Sequence, residues 1–301
     1  MQNKGLLYGI LAYTMWGVLP IYWHLLNSVQ ASQILVARII WSLTFLVILL
    51  SLRRGWGWVK PLLLQRQTLL IVGIAAILLS VNWFIYIWAV TAGFVVETSL
   101  GYFINPLVNV LLGTILLKER LRTGQWAAIG MAAIGVLYLT VHYRTLPWIA
   151  LSLALTFGFY GLMKKKVHLG SAESLTGEMA VLFLPALVFS IYLLITGQAA
   201  IVNSSATIQL LLVGSGIVTA IPLILFAAAA RREPLSTLGL LQYIAPTLQF
   251  LIGIFILKEP FSGSTLIGYV IIWFALILYS LEGIWQRRSQ LAPASTEISI
   301  E

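Results

Sequence analysis

TSLGYFINPLVNVLLGTILLKERL occupies Thr98–Leu121, and STLGLLQYIAPTLQFLIGIFILKEPF occupies Ser236–Phe261. The two stretches write nearly the same apolar sentence twice. Each opens on Leu-Gly, at Leu100–Gly101 and Leu238–Gly239, and each then carries a proline, Pro106 and Pro246. From the prolines onward the register is fixed at an offset of 140 residues, which sets Gly113 against Gly253 and Lys118–Glu119 against Lys258–Glu259. That offset is close to half of the 301-residue chain. It is far longer than the roughly 20–50-residue period of a solenoid. The pattern is that of a duplicated half.

The chain is 60% hydrophobic and 9% charged, with a mean hydropathy of +0.98. Soluble domains carry about 25% charged residues, and no soluble fold could hide this much apolar surface. The expected class is an all-α polytopic membrane protein. A β-barrel would alternate polar and apolar residues in segments of about ten, and runs such as IVGIAAILL and LIGIFIL do not alternate. Cysteine is absent, which excludes disulfides, thiolate zinc sites and a cysteine nucleophile. Aspartate is absent too, and His24, His142 and His168 lie far apart, so neither a metal site nor a cofactor is expected. In a soluble protein a net charge of +9 would suggest nucleic acid. Here the basic residues fall in short gaps between apolar runs, so they read as topology signals and no nucleic-acid partner is expected. The first apolar run leads straight into others without a small-residue cleavage pattern, so no removable signal peptide is expected.

Crossing roughly 30 Å of hydrocarbon takes about 20 residues. Ten runs qualify as predicted spans: 6–26, 33–52, 68–91, 95–117, 124–141, 147–163, 175–196, 207–229, 236–257 and 264–285. Alternate gaps and both ends collect 15 of the 18 Lys and Arg residues, the opposite gaps hold only Arg144 and Lys258, and Arg38 falls inside a span. Basic loops stay in the cytoplasm, which predicts both termini inside. Five spans per half is an odd number, so the second half must run inverted. Predicted span 4 and its echo, span 9, then cross in opposite directions. Inverted repeats are a common construction of secondary transporters, with the binding site near the midplane between them. The expected organisation is a first repeat over 1–143, a second over 144–288 and a disordered cytoplasmic tail over 289–301.

These residues carry a family resemblance. The first span reads GILAYTMWGVLPIYW, the fourth opens ETSLGYFINPLVNVLLG, and KERLRTGQWAAIGMAAIGV follows, with Glu119 ahead of Gly124, Gly130 and Gly135. This resembles the repeat of the EamA-type drug/metabolite transporter (DMT) superfamily. SLGYFINPLVN and GIVTAIPLILFAAAARREPLSTLGLLQYIAPTLQFLIG are similar to the RarD subgroup, a set of bacterial inner-membrane permeases. The resemblance covers almost the whole chain. It implies ten transmembrane helices in two inverted five-helix repeats. One departure is that span 9 keeps the repeat's glutamate but follows it with proline, Lys258–Glu259–Pro260.

Polar groups inside a span are costly and usually face a cavity or a partner. Arg38 and Glu178 stand 140 residues apart, opposite charges at matching places in the two halves. Arg38 is a candidate for an anionic group of a substrate, and Glu178 for titration or a cationic partner. Snorkelling or a local partner would equally account for each. Glu97, near the start of span 4, has two readings: a proton carrier at the mouth of a path, or an acid at a helix N-terminus facing water. The prolines mark a candidate site. A proline removes one backbone donor and obstructs the carbonyl one turn earlier, at Tyr102 and Gln242. Asn105 and Asn109 share a face by four-residue spacing, as do Gln242 and Gln249 by seven. Beside them stand Tyr243, the Asn82, Trp83 and Tyr86 face of span 3, Trp16 of span 1, and Phe157 and Tyr160 of its counterpart, span 6. Pockets want mostly apolar walls with a few polar groups, though prolines, amides and aromatics also serve packing and interfacial belts. Gly5, Gly9, Gly113, Gly130, Gly253 and Gly268 are expected to permit close helix approach.

The expected function is a permease that moves small organic solutes or drugs across the bacterial inner membrane by alternating access. No nucleotide-binding motif is present, so ATP does not drive it. Protons are a candidate coupling ion through Glu97 or Glu178, facilitated diffusion is the other possibility, and oligomeric state is not legible. An integral membrane enzyme would need paired acids, a nucleophile with a base, or metal ligands, and none is written here. The alternative is a lipid-handling or partner-stabilising membrane subunit without solute flux.

Overall fold

A computed structural model describes residues 4–91, 95–143, 148–256 and 263–291, with the side chains of 87, 90–91, 95–100, 142–143, 253–254, 264–265, 269, 276, 280 and 283–291 outside the described set. The helices are α1 (Lys4–His24), α2 (Ala31–Leu52), α3 (Val59–Leu64), α4 (Arg66–Thr91), α5 (Val95–Leu116), α6 (Thr123–Tyr143) and α7 (Trp148–Lys166). They continue as α8 (Ser171–Ile195), α9 (Ala200–Asn203), α10 (Ala206–Ala230), α11 (Leu235–Leu241), α12 (Ile244–Phe255) and α13 (Gly263–Leu291). No strand occurs among the described residues. Each predicted span coincides with a helix or, for span 9, with the pair α11 and α12. Among the described residues seven stretches are long and apolar enough to cross a membrane: α1, α2, Arg66–Tyr86, Thr123–Val141, α8, α10 and Leu235–Ile252. Large apolar side chains cover the outward faces, among them Leu70, Phe84, Leu184 and Ile195. Such a surface suits lipid rather than water, and the chain is a multi-pass membrane protein.

By contact the helices form two units. One comprises 1–119 with 145–260, and the other 120–144 with 261–301. In the second unit α6 packs on α13, and Arg122 meets Glu282 at 3.0 Å. In the first unit α5 and α4 both pack on α7, α10 packs on α1 and α2, α2 on α8, α11 on α5, and α12 on α1. Its core gathers Tyr13, Leu46, Leu79, Tyr160, Leu175, Met179 and Phe226.

The two prolines behave differently. Span 9 breaks into α11 and α12 at Gln242–Tyr243, one turn before Pro246. Pro246 has no N–H to give the Gln242 carbonyl, which accepts from Ala245 N at 3.2 Å instead. The tightened turn is held from outside. The Gln242 amide oxygen accepts from Asn109 at 2.8 Å and the Tyr243 hydroxyl donates to the Phe103 carbonyl at 3.2 Å. Pro106, by contrast, sits inside a continuous α5.

Close approach explains some glycines and not others. A Cβ on Gly239 would stand 2.6 Å from the Pro106 carbonyl oxygen, so α11 and α5 meet backbone to backbone there. A Cβ on Gly9 or Gly113 would also crowd its neighbours, and one on Gly5 or Gly268 would clash outright. Gly130 departs from the expectation: nothing lies within 4 Å of where its Cβ would be. The surroundings of Gly253 lie outside the described residues.

Candidate functional site

The proline-broken helix borders a cavity of about 400 Å³ inside the first unit. Residues from α1, α2, α4, α5, α7, α10 and α12 and the turn between α11 and α12 line it. Nine of the twelve predicted binding residues are among them: Trp16, Arg38, Asn82, Trp83, Tyr86, Tyr102, Asn105, Gln242 and Gln249.

The polar groups differ in how much bonding capacity they keep. The Asn82 amide is committed to α7, donating at 2.9 Å both to the Leu153 carbonyl and to Thr156 Oγ1. Gln249 donates to the Trp16 carbonyl at 3.2 Å and so ties α12 to α1. Gln242 accepts from Asn109. Tyr86 and Tyr102 share a hydrogen bond and an edge-on contact, with ring centroids 6.1 Å apart. Asn105 is different, because its buried amide oxygen has no partner among the described residues. The hydroxyl of Tyr13, also on the wall, is in the same position. Buried polar groups are nearly always hydrogen-bonded, so two unpaired ones on one cavity wall offer bonds to whatever enters.

Arg38 is the cationic feature. Its Nε donates to Thr219 Oγ1 at 2.9 Å. Its guanidinium lies 5.0 Å from the Trp23 ring centroid and 4.6 Å from that of Trp83, within cation–π range of both. Next to it Trp16 touches Tyr13, Phe157 and Phe226, with centroids 5.5, 5.7 and 5.7 Å away.

The remaining predicted residues stand outside the wall. Asn109 is buried behind Gln242, and Tyr243 is buried with its hydroxyl on α5. Tyr160 stacks on Phe226 and donates to Glu178 Oε2 at 3.1 Å. Glu178 is fully buried in a polar knot, accepting from Lys164 Nζ at 2.5 Å and from Ser174 Oγ at 2.8 Å. Glu97 belongs to the first turn of α5, and its side chain lies outside the described residues.

Sequence reasoning missed Tyr13, Trp23 and His24 on the cavity wall. Spacing could have found two of them. Tyr13 is three residues before Trp16 and Trp23 seven after it, which puts all three on one face of α1.

Comparison with known proteins bears on what this site serves. The EamA-like transporter family matches residues 3–141. Protein RarD of Streptomyces exfoliatus is 45% identical over 97% of this chain and 92% of its own length. The chain belongs to the RarD subgroup of the EamA transporter family. An uncharacterized transporter of Bacillus subtilis, YojE, is 46% identical over 96% of this chain and 97% of its own. Protein RarD of Escherichia coli K12 is 39% identical over 95% and 97%. A crystal structure 20% identical in sequence superposes with a TM-score of 0.69 over 94% of this chain and 99% of that one, which shows a shared fold. As a member of the RarD subgroup of the EamA family, the chain is a membrane transporter.

Proposed function

We propose that this RarD-type chain is an inner-membrane secondary transporter that carries small organic solutes by alternating access between two inverted five-helix repeats. The cavity carries the reading: it is walled by residues from both halves of the sequence, seven of them aromatic, with unpaired polar groups at Asn105 and Tyr13.

The helix pairings support the repeat. Let α1, α2, α4 and α5 correspond to α7, α8, α10 and the α11–α12 pair. Then α4 on α7 is matched by α10 on α1, α5 on α7 by α12 on α1, and α10 on α2 by α4 on α8. The pairs α2 with α8 and α5 with α11 map onto themselves. Exchange of this kind is what two interlocked copies of one design would produce.

With the basic loops in the cytoplasm, the cavity faces outward. It reaches Trp23 and His24 at the outer end of α1 and Arg38 near the outer end of α2. The matching inner place holds the buried Lys164–Glu178 pair. Sequence register sets Trp16–Gly17 against Phe157–Gly158 and Arg38 against Glu178, so Trp23 beside Arg38 corresponds to Lys164 beside Glu178. One mouth is open around a cation–π contact while its counterpart is shut around an ion pair. Alternation would exchange these conditions. Glu178 and Glu97 remain the acids through which protons would couple, and Asn109, Tyr160 and Tyr243 act in this scheme by holding the site in shape.

The test is purified protein in vesicles, assayed for uptake of amino acids, amphenicols and small metabolites with and without a pH gradient. Saturable flux that a cavity substitution abolishes is expected. Folded protein that moves no solute under either condition would sink the reading in favour of a lipid-handling or partner-stabilising role.

A further inference from the structure

The cavity has an uncompensated charge. Its ionisable lining residues, tyrosines aside, are Arg38 and His24, and no lining residue is acidic. Among the described residues the ion pairs are Arg122–Glu282, Lys164–Glu178 and Lys165–Glu119, and Arg38 belongs to none of them. The contrast with Lys164 is direct: that cation is fully buried and has a carboxylate at 2.5 Å, whereas Arg38 is half-buried on the cavity wall and has none among the described residues. A half-buried cation with no counter-charge on its cavity wall attracts an anion, and a charge-assisted hydrogen-bonded contact is the strong form of that attraction.

Arg38 is also prepared to receive a partner. Thr219 occupies its Nε, and Trp23 and Trp83 lie against the guanidinium, which limits its freedom before any ligand arrives. Two terminal amines in a fixed plane match the two oxygens of a carboxylate or sulfonate. The walls beside it are indole and phenyl faces, suited to a flat apolar body.

From this geometry we infer that the cavity selects organic anions with a flat apolar body, their acidic group held by Arg38 and a second hydrogen bond open at Asn105 or Tyr13. This rests on the reading of the cavity as the transport site and adds the class of substrate.

Three tryptophans on the wall, Trp16, Trp23 and Trp83, allow binding to be read from their fluorescence. Full-length protein in detergent would be titrated with phenylacetate and with its neutral isostere phenylacetamide. A charge-assisted pair of hydrogen bonds is expected to favour phenylacetate at least about tenfold in the wild type. Arg38→Gln should cut the preference to about twofold or less, and Arg38→Lys should restore part of it. Equal binding of the two probes by the wild type, absence of phenylacetate binding, or a full preference retained in Arg38→Gln would overturn the inference. The wild-type comparison decides even where Arg38→Gln does not fold. The two readings fail separately. An anion preference without flux in vesicles would remove transport and leave the binding class, whereas saturable flux of neutral solutes without any anion preference would do the reverse.

Discussion

The Lys164 ammonium lies 2.5 Å from the Glu178 carboxylate, and neither side chain is more than 1% exposed. The pair joins the last turn of α7 to the second turn of α8, with Ser174 and Tyr160 bonded to the same carboxylate. Removing one member strands the other charge in a dry interior, which costs about 3–5 kcal/mol. Glu178→Gln and Lys164→Met should each lower the melting temperature of the detergent-purified protein strongly. The double variant Lys164→Met with Glu178→Leu should recover most of the loss, because no charge is then left unpaired. Single variants that melt like the wild type would show that the pair is not a closed contact in solution.

Glu119 illustrates an end-of-helix device. Its carboxylate accepts from the Leu235 and Ser236 backbone N–H groups at 2.7 and 3.0 Å and from the Ser236 hydroxyl at 2.7 Å. These are the first two residues of α11, so an acid from the first half of the sequence caps a helix of the second. Glu119→Ala should cost about 0.5–2 kcal/mol, the range of a lost N-cap. Amide exchange at 235–238 should speed up selectively. Unchanged exchange in that turn would count against the cap.

The glycine contacts give a prediction with its control built in. At Gly239 the obstructing atom is the Pro106 carbonyl oxygen, 2.6 Å from the added Cβ, and a backbone atom cannot swing aside. Gly239→Ala should therefore destabilise by about 1–3 kcal/mol, as overpacking does. Gly73 is also helical but has nothing within 4 Å of its would-be Cβ. There the better helix propensity of alanine should stabilise by up to about 1 kcal/mol. Melting curves of the two variants should move in opposite directions.

Much of this was legible in the chain because apolar length is a strong signal. The ten runs fall on helices, and the repeated proline marked the cavity where the amides gather. Three things were hidden. Lys164 reads as one of three loop lysines, yet α7 continues to Lys166 and carries it into the interior opposite Glu178. A carboxylate on the next helix decides that, and no property of the lysine run itself could. Pro106 and Pro246 look alike in sequence, but only the second interrupts its helix. The turn before it is tied to α5 by Gln242 and Tyr243, contacts that exist only after packing. Gly130 fits the expected spacing of a packing glycine and packs against nothing within 4 Å, since spacing names a face and not the neighbour opposite.

The amides of the broken helix separate binding from scaffolding. Asn105 has a buried oxygen without a partner among the described residues, so Asn105→Ala removes a group that no neighbour depends on. It should leave melting near the wild-type value and lower saturable flux roughly tenfold, the worth of one buried hydrogen bond to a polar solute. Gln242 instead accepts from Asn109 at 2.8 Å, and both side chains are buried. Gln242→Ala strands the Asn109 donor, which adds about 1–3 kcal/mol of instability to any loss of flux. The two variants should therefore split: flux alone falls in the first, flux and melting together in the second. Adding Asn109→Leu to Gln242→Ala should restore melting without restoring flux, since an apolar pair leaves no orphaned group but also no polar wall. Near-normal flux in both single variants, at normal expression, would remove the broken helix from the transport path, because then neither the free amide nor the tied one meets the solute.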